Sequence, residues 1–432
     1  MTEDNSSARA FSEDEASARA CDECDPLRAN RDQFGIPVAK DGTTSVYFSG
    51  NSLGLQPRCA REAVVEELDT WAQLGVDGHF SGKHAWYPYH ELLRESAAAI
   101  VGANVGEVVT MNSLTVNLHL MMVTFFRPTE SRYKILMESP AFPSDTYAVK
   151  THLQHHRLDP DDALIIVHPR DGEHTLRTED IQAAITEHGD TIALVLLAGV
   201  NFFTGQVIDM PGITQTAKQH GCAMGLDLAH AVGNVPMSLH DWSVDFAVWC
   251  NYKYLNGGPG AVGGCFIHET HARDTSLPRL GGWWGNDPRT RFMMHLQPEF
   301  VPRADADAWQ LSNPPILAMA PVRASLEMFQ SVGLDALREK SIRLTGYMQY
   351  LIDQLSPERF EVITPRAASA RGCQLSILVH DRPKALHASL QEGGIVCDFR
   401  EPNVVRVAPV PLYNSFHDVW RFAQVLARHD RG

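Results

Sequence analysis

The sequence predicts an α/β fold with a large domain, built on a mainly parallel sheet flanked by helices, and a smaller α+β domain at the C-terminus. Between Glu107 and Ile267, runs that are apolar along their whole length alternate with amphipathic stretches. This is typical of a parallel sheet covered by helices on both faces. After Pro314, two long amphipathic helices precede further strands and helices. With 432 residues, of which 44% are hydrophobic, the chain can bury a sizeable core.

The first 75 residues are expected to form two pieces. Residues 1–25 are rich in Ser, Ala, Glu and Asp and have few large apolar residues, which predicts a disordered acidic tail. Residues 26–75 are expected to pack near the small domain, with a strand at 46–48, a glycine-rich turn and a helix that opens at Pro57. The apolar side chains that share one face of this helix are Val64, Val65, Leu68 and Trp71.

The large domain is predicted over residues 76–312 and the small domain over 313–432. In the large domain, a helix is expected at Tyr89–Val101, strands at Val108–Met111, Lys134–Met137, Ala163–Val167, Ile192–Leu197, Ala223–Asp227, Phe246–Cys250 and Val262–Ile267, and an ordered loop at 270–312. In the small domain, helices are expected at Ile316–Gln330, Leu334–Leu355, Pro383–Gln391 and Ser415–Ala427, and strands at Phe360–Ile363, Gln374–Val379 and Val404–Val407.

Charge and composition exclude several classes of function. The net charge of −15 argues against a nucleic-acid surface, which needs a basic face. The longest apolar run, Ile192–Val200, is too short to cross a membrane, and the acidic N-terminus does not resemble a secretory signal, so we expect a cytoplasmic protein. The cysteines are scattered and predict no disulfide framework. Cys21 and Cys24 form a C-x-x-C without a second pair, so no metal site is predicted.

Two glycine motifs match known fingerprints in the wrong context. The turn Gly50–Gly54 has the G-x-S-x-G pattern of a serine hydrolase around Ser52, but it precedes the main run of strands. We therefore favour a plain turn, with a serine hydrolase as a remote alternative. The segment Gly258–Gly263 matches G-x-G-x-x-G but leads into a strand, whereas a dinucleotide site must open a helix.

Lys253 and Asp227 form the pair that indicates chemistry. Lys253 is one of eight lysines and directly follows the apolar strand 246–250, with glycines behind it. This suits a desolvated amine that bonds to an aldehyde cofactor, although a strand-end lysine can also be a plain surface residue. Asp227 ends the preceding strand, where α/β sheets bind ligands, although it could also be a helix cap. An acid and a lysine at neighbouring strand ends fit a pyridoxal 5′-phosphate (PLP) site, in which the acid pairs with the pyridine nitrogen.

A binding site for the cofactor phosphate is expected directly after Asn112 and Ser113. Either residue can cap a helix over the apolar stretch 116–126, whose free N–H groups would face an anion. Most such caps bind no ligand. Tyr252 could add a hydroxyl, with a core tyrosine as the alternative.

Six ordered motifs together make the chain resemble kynureninase, a PLP-dependent hydrolase family of the aspartate aminotransferase fold (fold type I). The resemblance runs from about Pro26 to the C-terminus. The motifs are Tyr47–Pro57, Met111–His119, Phe142–Asp145, Asp227–Asn234, Tyr252–Asn256 and Arg406–Asn414.

The resemblance implies a role for each matching residue. Lys253 would hold the cofactor aldehyde, Asp227 the pyridine nitrogen, and Tyr252 would donate a proton as well as contact the phosphate. Phe142 would stack on the ring, and Arg406 would bind the substrate α-carboxylate. The implied cofactor residues are Leu114, Thr115, Phe142, Pro143, Ser144, Asp145, Ala198, Asp227, His230, Tyr252, Lys253, Trp283 and Asn313, and the implied substrate residues are Ser52, His79, Asn313 and Arg406.

The chain departs from the family pattern at Ala198, where a cofactor-contacting serine is common. The missing hydroxyl should weaken cofactor binding by about 1 kcal/mol. Without the family, Arg406 in an apolar strand would be read as an ordinary ion-pair partner, and Phe142 as core packing.

The resemblance implies hydrolysis of L-kynurenine, or a ring-substituted analogue, to an anthranilate and L-alanine in tryptophan breakdown. Trp283 and Asn313 match positions near a subunit boundary, which implies a homodimer with shared active sites. His79 and Asn313 match positions that contact the substrate ring in members that favour 3-hydroxykynurenine. Another fold type I enzyme, such as a desulfurase or aminotransferase, would share Lys253 and Asp227 and stays an alternative, as does a scaffold without a cofactor.

Overall fold

A computed structural model describes residues 11–431 of the chain. Its helices are α1 (Glu15–Glu23), α2 (Arg58–Leu74), α3 (Arg94–Val101), α4 (Leu114–Phe125), α5 (Pro143–His155), α6 (Pro160–Ala163), α7 (Thr178–His188), α8 (Met210–Gln219), α9 (Glu269–Ala272), α10 (Ile316–Val332), α11 (Leu334–Ile352), α12 (Pro383–Glu392) and α13 (Phe416–Arg431). Its strands are β1 (Phe34–Gly35), β2 (Val46–Tyr47), β3 (Gln56–Pro57), β4 (Val108–Thr110), β5 (Lys134–Glu138), β6 (Leu164–Val167), β7 (Ile192–Ala198), β8 (Ala223–Asp227), β9 (Phe246–Trp249), β10 (Gly264–Ile267), β11 (Phe360–Val362), β12 (Leu375–Val379), β13 (Ile395–Val396), β14 (Asp398–Arg400) and β15 (Val404–Val407).

The seven strands predicted for the large domain form one sheet, in the order β4-β10-β9-β8-β7-β5-β6. Strands β9, β8, β7, β5 and β6 run parallel, and β10 is antiparallel to both of its neighbours. The side chains of β7 and β9 are almost entirely buried because helices pack on both faces. The predicted mainly parallel sheet is therefore confirmed, and the carboxyl ends of its parallel strands meet at one edge.

The N-terminal tail differs from the prediction of disorder, because part of it is a docked helix. Residues 1–10 of that tail lie outside the described residues, whereas α1 packs against α13. The Asp22 carboxylate accepts backbone N–H bonds from Phe416 (2.6 Å) and His417 (3.0 Å) at the start of α13. An acidic side chain is favourable there because free N–H groups and the helix dipole attract it. Asp22, one of the acidic residues that suggested disorder, is thus a docking contact.

Helix α2 begins after Pro57 as predicted, but its apolar face is not the buried one. The buried positions are Ala60, Ala63 and Glu67, on the side that packs against α10. Leu68 is 42% exposed and Trp71 is 60% exposed in the single chain. Small side chains therefore pack inward, where the helices approach closely, and the large apolar ones point outward.

The small domain is built on a four-stranded antiparallel sheet in the order β11-β12-β15-β14. Its three predicted strands and four predicted helices are present within a few residues, whereas β13 and β14 were not predicted. Strand β2, from the N-terminal segment, pairs with β13. The buried residues of α10 belong to the core of the large domain, so the two cores divide within α11 and not at residue 313.

Among residues 11–431, no helix is long and apolar enough to span a membrane.

Candidate active site

A cavity of about 220 Å³ lies at the edge where the parallel strands of the large sheet end. Strands β8 and β9 deliver Asp227 and Lys253 to it, and the small domain closes one side with Arg406. This is the position at which α/β sheets bind ligands. The residues that line the cavity are Asn51, Ser52, Leu114, Thr115, Phe142, Ser144, Asp145, Ala198, Val200, Phe202, Asp227, Ala229, His230, Tyr252, Lys253, Arg400 and Arg406.

Lys253 lies in a tight segment after β9 that the N-terminal turn covers. The backbone N–H of Gly54 donates to the Tyr252 carbonyl (2.8 Å), and a Cβ at Gly54 would lie 2.3 Å from the Lys253 carbonyl. Only glycine allows this close approach, which explains one glycine of the G-x-S-x-G motif. The Lys253 amine lies 5.9 Å from the centroid of the Phe142 ring, with both in the cavity.

Asp227 is buried together with two other acidic side chains, Asp145 and Glu138. The Asp227 carboxylate accepts the Ala229 N–H at 2.7 Å, so it caps the turn after β8 while it faces the cavity. Burial and the charge of Asp227 raise the pKa of Asp145. Burial also raises the pKa of Glu138 to about 7, and its carboxylate accepts the Ala198 N–H at 3.2 Å. A cationic ligand atom beside Asp227 would be stabilised here, because it would offset charge in a poorly hydrated site.

Two helices present their N-termini to the same end of the cavity. Helix α4 starts at Leu114, and within residues 11–431 no side chain caps its first turn, so its N–H groups are available to an anion. The hydroxyls of Thr115 on α4 and Ser144 on α5 lie 3.2 Å apart. The segment 143–145, matched above to a cofactor loop, is the first turn of α5 rather than a loop, with Phe142 as its N-cap.

Arg406 is fully buried in β15 and is held from two sides. Its Nε donates to Oδ2 of Asp398, directly opposite on β14, at 2.6 Å, and one terminal nitrogen donates to the Phe202 carbonyl at 2.5 Å. Arg400 donates to the same Asp398 oxygen at 2.9 Å and also faces the cavity. Burial lowers the pKa of Arg406. Arg406 therefore does form an ion pair, which was the alternative to a substrate-binding role. Because Arg400 pairs with the same aspartate, Arg400, Arg406 and Asp398 together keep a net positive charge beside the cavity.

The polar groups of the cavity fit PLP. In the described part of the chain, Oδ1 of Asp145 and Nδ1 of His230 are buried without hydrogen-bond partners. Burial and the charge of Lys253 keep the pKa of His230 far below its usual range, so its ring is neutral. Buried polar atoms need partners, and a ligand with several polar groups supplies them. A primary amine, a carboxylate, helix N-termini and hydroxyls around one cavity match the aldehyde, pyridine nitrogen and phosphate of that cofactor.

Most of the residues expected at the site are in one place, although their individual roles stay predictions. Ser52 lies at the cavity, but within residues 11–431 its hydroxyl makes no hydrogen bond to a histidine, which a serine hydrolase would need. Pro143 lies next to the cavity residues and does not line it. The lining residues that the sequence analysis brings together are Ser52, Leu114, Thr115, Phe142, Ser144, Asp145, Ala198, Asp227, His230, Tyr252, Lys253 and Arg406.

Besides Pro143, three expected residues do not line the cavity of this chain: His79, Trp283 and Asn313. Trp283 is 37% exposed beside Trp284, and Asn313 is exposed. The ring of His79 packs on the edge of Trp86, 5.4 Å between centroids.

The sequence analysis missed five lining residues: Asn51, Val200, Phe202, Ala229 and Arg400. For Arg400 a signal existed, because the charged residues Asp398 and Arg400 alternate along a short segment that precedes β15.

Comparison with known protein families matches both halves of the chain. Residues 337–426 match a model described as the kynureninase C-terminal domain, and residues 78–237 match the DegT/DnrJ/EryC1/StrS aminotransferase family. Among solved structures, a cysteine desulfurase from Thermococcus onnurineus aligns with a TM-score of 0.73 over 90% of this chain and 95% of its own, at 19% identity. The cysteine desulfurase CsdA from Escherichia coli gives the same TM-score at 16% identity, over 93% of this chain and 98% of its own. These structures show the fold, which is fold type I of the PLP-dependent enzymes.

Whole-chain relatives identify the family. The chain is 54% identical to a kynureninase from Koribacter versatilis over 96% of this chain and 98% of the relative. It is also 54% identical to a kynureninase from Myxococcus xanthus over 98% of each chain. Identity this high over nearly the whole length, with the site residues assembled as described, leads to one conclusion: the chain belongs to the kynureninase family of PLP-dependent hydrolases.

Proposed function

We propose that this protein uses PLP to hydrolyse L-kynurenine or 3-hydroxy-L-kynurenine to the corresponding anthranilate and L-alanine, in tryptophan breakdown. The observation that carries the proposal is the convergence of Lys253, Asp227 and Arg406 on one cavity. An amine, an acid and a carboxylate-binding arginine are what an amino-acid substrate and this cofactor require together.

The cofactor-binding roles follow from where each group lies. Lys253 would hold the aldehyde carbon covalently, and Asp227 would keep the pyridine nitrogen protonated. Thr115, Ser144 and the N-terminus of α4 would bind the phosphate, and Phe142 would pack against the ring. Bound PLP supplies an electron sink that stabilises negative charge next to the substrate α-carbon. His230, neutral because of burial and the charge of Lys253, lines the same cavity.

The substrate-binding and proton-transfer roles fall to Arg406, Lys253 and Tyr252, which line the same cavity. Arg406 binds the substrate α-carboxylate, and the amine of Lys253 accepts the α-proton. Burial, with Cys250 as its neighbour, raises the pKa of Tyr252, so its hydroxyl stays protonated at neutral pH. A protonated hydroxyl beside the lysine is suited to donate a proton to the alanyl fragment after the carbon–carbon bond breaks.

We further propose a homodimer in which each chain contributes residues to the cavity of its partner. His79, Trp283 and Asn313 are partly or fully exposed and lie outside the cavity of their own chain. The outward face of α2 supports an interface, since Leu68 and Trp71 are large, apolar and exposed. In the dimer, His79 and Asn313 would contact the substrate ring, which favours the 3-hydroxy substrate.

A cytoplasmic location is proposed on the state of the cysteines. Cys59, Cys222, Cys250, Cys265, Cys373 and Cys397 are free thiols, and four of these are buried. Free buried thiols are usual in reducing compartments. Fractionation of the source cells tests this, and an extracellular protein would contradict it.

The deciding experiment combines spectrum and turnover in purified protein. The wild type supplied with PLP should show the visible band of a lysine-bound cofactor and should release alanine and an anthranilate from kynurenine. Lys253→Ala should lose both, whereas Lys150→Ala, at an exposed lysine on α5, should keep both. A wild type that binds PLP but turns over cysteine or an amino-acid/keto-acid pair, and not kynurenine, would instead support a desulfurase or aminotransferase.

The choice between substrates is measured separately. We expect a higher kcat/KM for 3-hydroxykynurenine than for kynurenine, and a smaller difference in His79→Ala. A clear preference for unsubstituted kynurenine would remove the role proposed for His79 and Asn313.

A further inference from the structure

Three histidines lie together at the C-terminal end of α5, away from the active-site cavity. His152 and His155 are in the last turn of the helix, and His156 is its C-cap. Positions three and four apart share one side of a helix. The ring centroids of His152 and His156 are 4.9 Å apart, those of His155 and His156 are 5.7 Å apart, and those of His152 and His155 are 6.5 Å apart.

His152 has the hydrogen-bonding pattern of a metal ligand. Its side chain is only 6% exposed, yet within residues 11–431 its Nε2 has no hydrogen-bond partner. The backbone of Met122 on α4 lies beside the same ring. A ligating histidine commonly donates one ring N–H to a backbone carbonyl, which orients the other nitrogen toward the ion. A buried, unpartnered imidazole nitrogen otherwise costs free energy.

The buried ring of His152 packs among aromatic side chains. The ring of Phe126 packs edge-on against His152 at 5.5 Å and provides an apolar floor.

We propose that His152, His155 and His156 bind a divalent transition metal ion, with Zn²⁺ as the representative. Three imidazoles and a water molecule make a four-coordinate zinc site, with Zn–N bonds of about 2.0–2.1 Å. Zinc and its neighbours in the series prefer imidazole nitrogen, whereas Ca²⁺ and Mg²⁺ prefer oxygen. His155 and His156 are exposed, so rotation about their side-chain bonds can direct a nitrogen of each toward Nε2 of His152.

Two groups of side chains in the described part of the chain have possible ligand atoms within 4.8 Å of one another, a spacing that the three histidines reach only after side-chain rotation, but the donor atoms of those two groups are already engaged. The Glu107 carboxylate beside His240 and His268 accepts three hydrogen bonds, from Asn104, His240 and Glu269. The carboxylate of Asp307, beside His90, is paired with Arg94 and Arg303. An ion would have to displace these partners, whereas the His152 nitrogen has none to displace among the described residues.

The test measures Zn²⁺ binding by tag-free, PLP-loaded protein after treatment with a chelator. Titration calorimetry should give one ion per chain for the wild type and an affinity at least about tenfold lower for His156→Ala and for His155→Ala. His188→Ala, at a partly exposed histidine at the end of α7, is the matched control and should bind as the wild type does. His155→Ala and His156→Ala change exposed residues and should not disturb folding, whereas His152→Ala removes a buried side chain.

A second readout is thermal stability. Zn²⁺ should raise Tm in the wild type and in His188→Ala, and should not raise it in His156→Ala, since an ion that binds the folded state stabilises it. Failure of the wild type to bind Zn²⁺, equal affinity in His156→Ala, or an equal loss in His188→Ala would each overturn the proposal. None of these outcomes depends on kynurenine turnover.

Discussion

Arg406 and Asp398 face each other across two antiparallel strands of the small domain, with Nε of the arginine 2.6 Å from Oδ2 of the aspartate. The same oxygen accepts a hydrogen bond from Arg400. The negative charge of Asp398 therefore balances the positive charge of one of the two arginines. Its hydrogen bond also fixes the direction of the buried Arg406 guanidinium. The positive charge that remains is what the role proposed for Arg406, binding a substrate carboxylate, requires.

Asp398→Asn should weaken substrate binding more than catalysis. The amide cannot balance two guanidinium groups, so Arg406 loses a charge-assisted hydrogen bond and its fixed orientation. We expect KM for kynurenine to rise about tenfold with kcat changed by less than about threefold. Steady-state kinetics check this, with Asp381→Asn, whose carboxylate pairs with the exposed Arg382, as a control. A fall in kcat at unchanged KM would argue against an orienting role for Asp398.

Thr115→Val should reduce the affinity for PLP. The substitution keeps the shape of the side chain but removes the hydroxyl that lies 3.2 Å from that of Ser144, at the start of α4. Loss of one hydrogen bond to a phosphate costs about 1.5–3 kcal/mol, so Kd should rise by about 10- to 100-fold. Thr151→Val is the control, since its hydroxyl bonds within α5 to the Tyr147 carbonyl. Kd is measured by fluorescence quenching. Equal Kd values for Thr115→Val and Thr151→Val would show that Thr115 does not contribute to phosphate binding.

Glu138→Gln should change how stability depends on pH. Burial raises the pKa of Glu138 from 4.5 to about 7 in the folded chain. A raised carboxyl pKa stabilises the folded state below the unfolded value, and this stabilisation is lost as pH rises toward 7. Glutamine can still accept the Ala198 N–H but does not ionise. Relative to the wild type, the variant should therefore gain up to about 3 kcal/mol in unfolding free energy between pH 4.5 and 7.

Urea unfolding of cofactor-free protein at several pH values measures this difference. Glu187→Gln, at an exposed site on α7, should show no such trend. A difference that does not change with pH would mean that the pKa of Glu138 is not raised in the folded chain.

Mixing two inactive variants should restore activity if the sites are shared. Trp283 lies outside the cavity of its own chain, so we expect it to serve the partner's site. In a heterodimer of Lys253→Ala and Trp283→Ala chains, one site carries both substitutions and the other carries neither. Random exchange should recover about a quarter of the wild-type kcat per site. No recovery after exchange, with dimers verified by light scattering, would place Trp283 outside the partner's site.

The sequence by itself determined the sheet and the chemistry of the main site. Strands that are buried on both faces must be apolar throughout, so all seven strands of the large sheet could be predicted within a few residues. Lys253 and Asp227 were found because strand ends place residues at one edge of the sheet, whatever packs around them. The family resemblance added Arg406 and the residues of the phosphate-binding site.

Tertiary structure alone decided which surfaces are covered and which charged groups meet. Helix α1 is polar in sequence, yet it docks because Asp22 reaches the free N–H groups of α13, about 390 residues away in the chain. The pairing of Asp398 with Arg406 depends on the register of two short strands, one of which has no strong pattern. The unpartnered nitrogen of His152 is visible only once α4 and α5 are packed together. Burial sets the energies of these contacts, and local sequence does not show which of the charged and polar groups the fold will bury together.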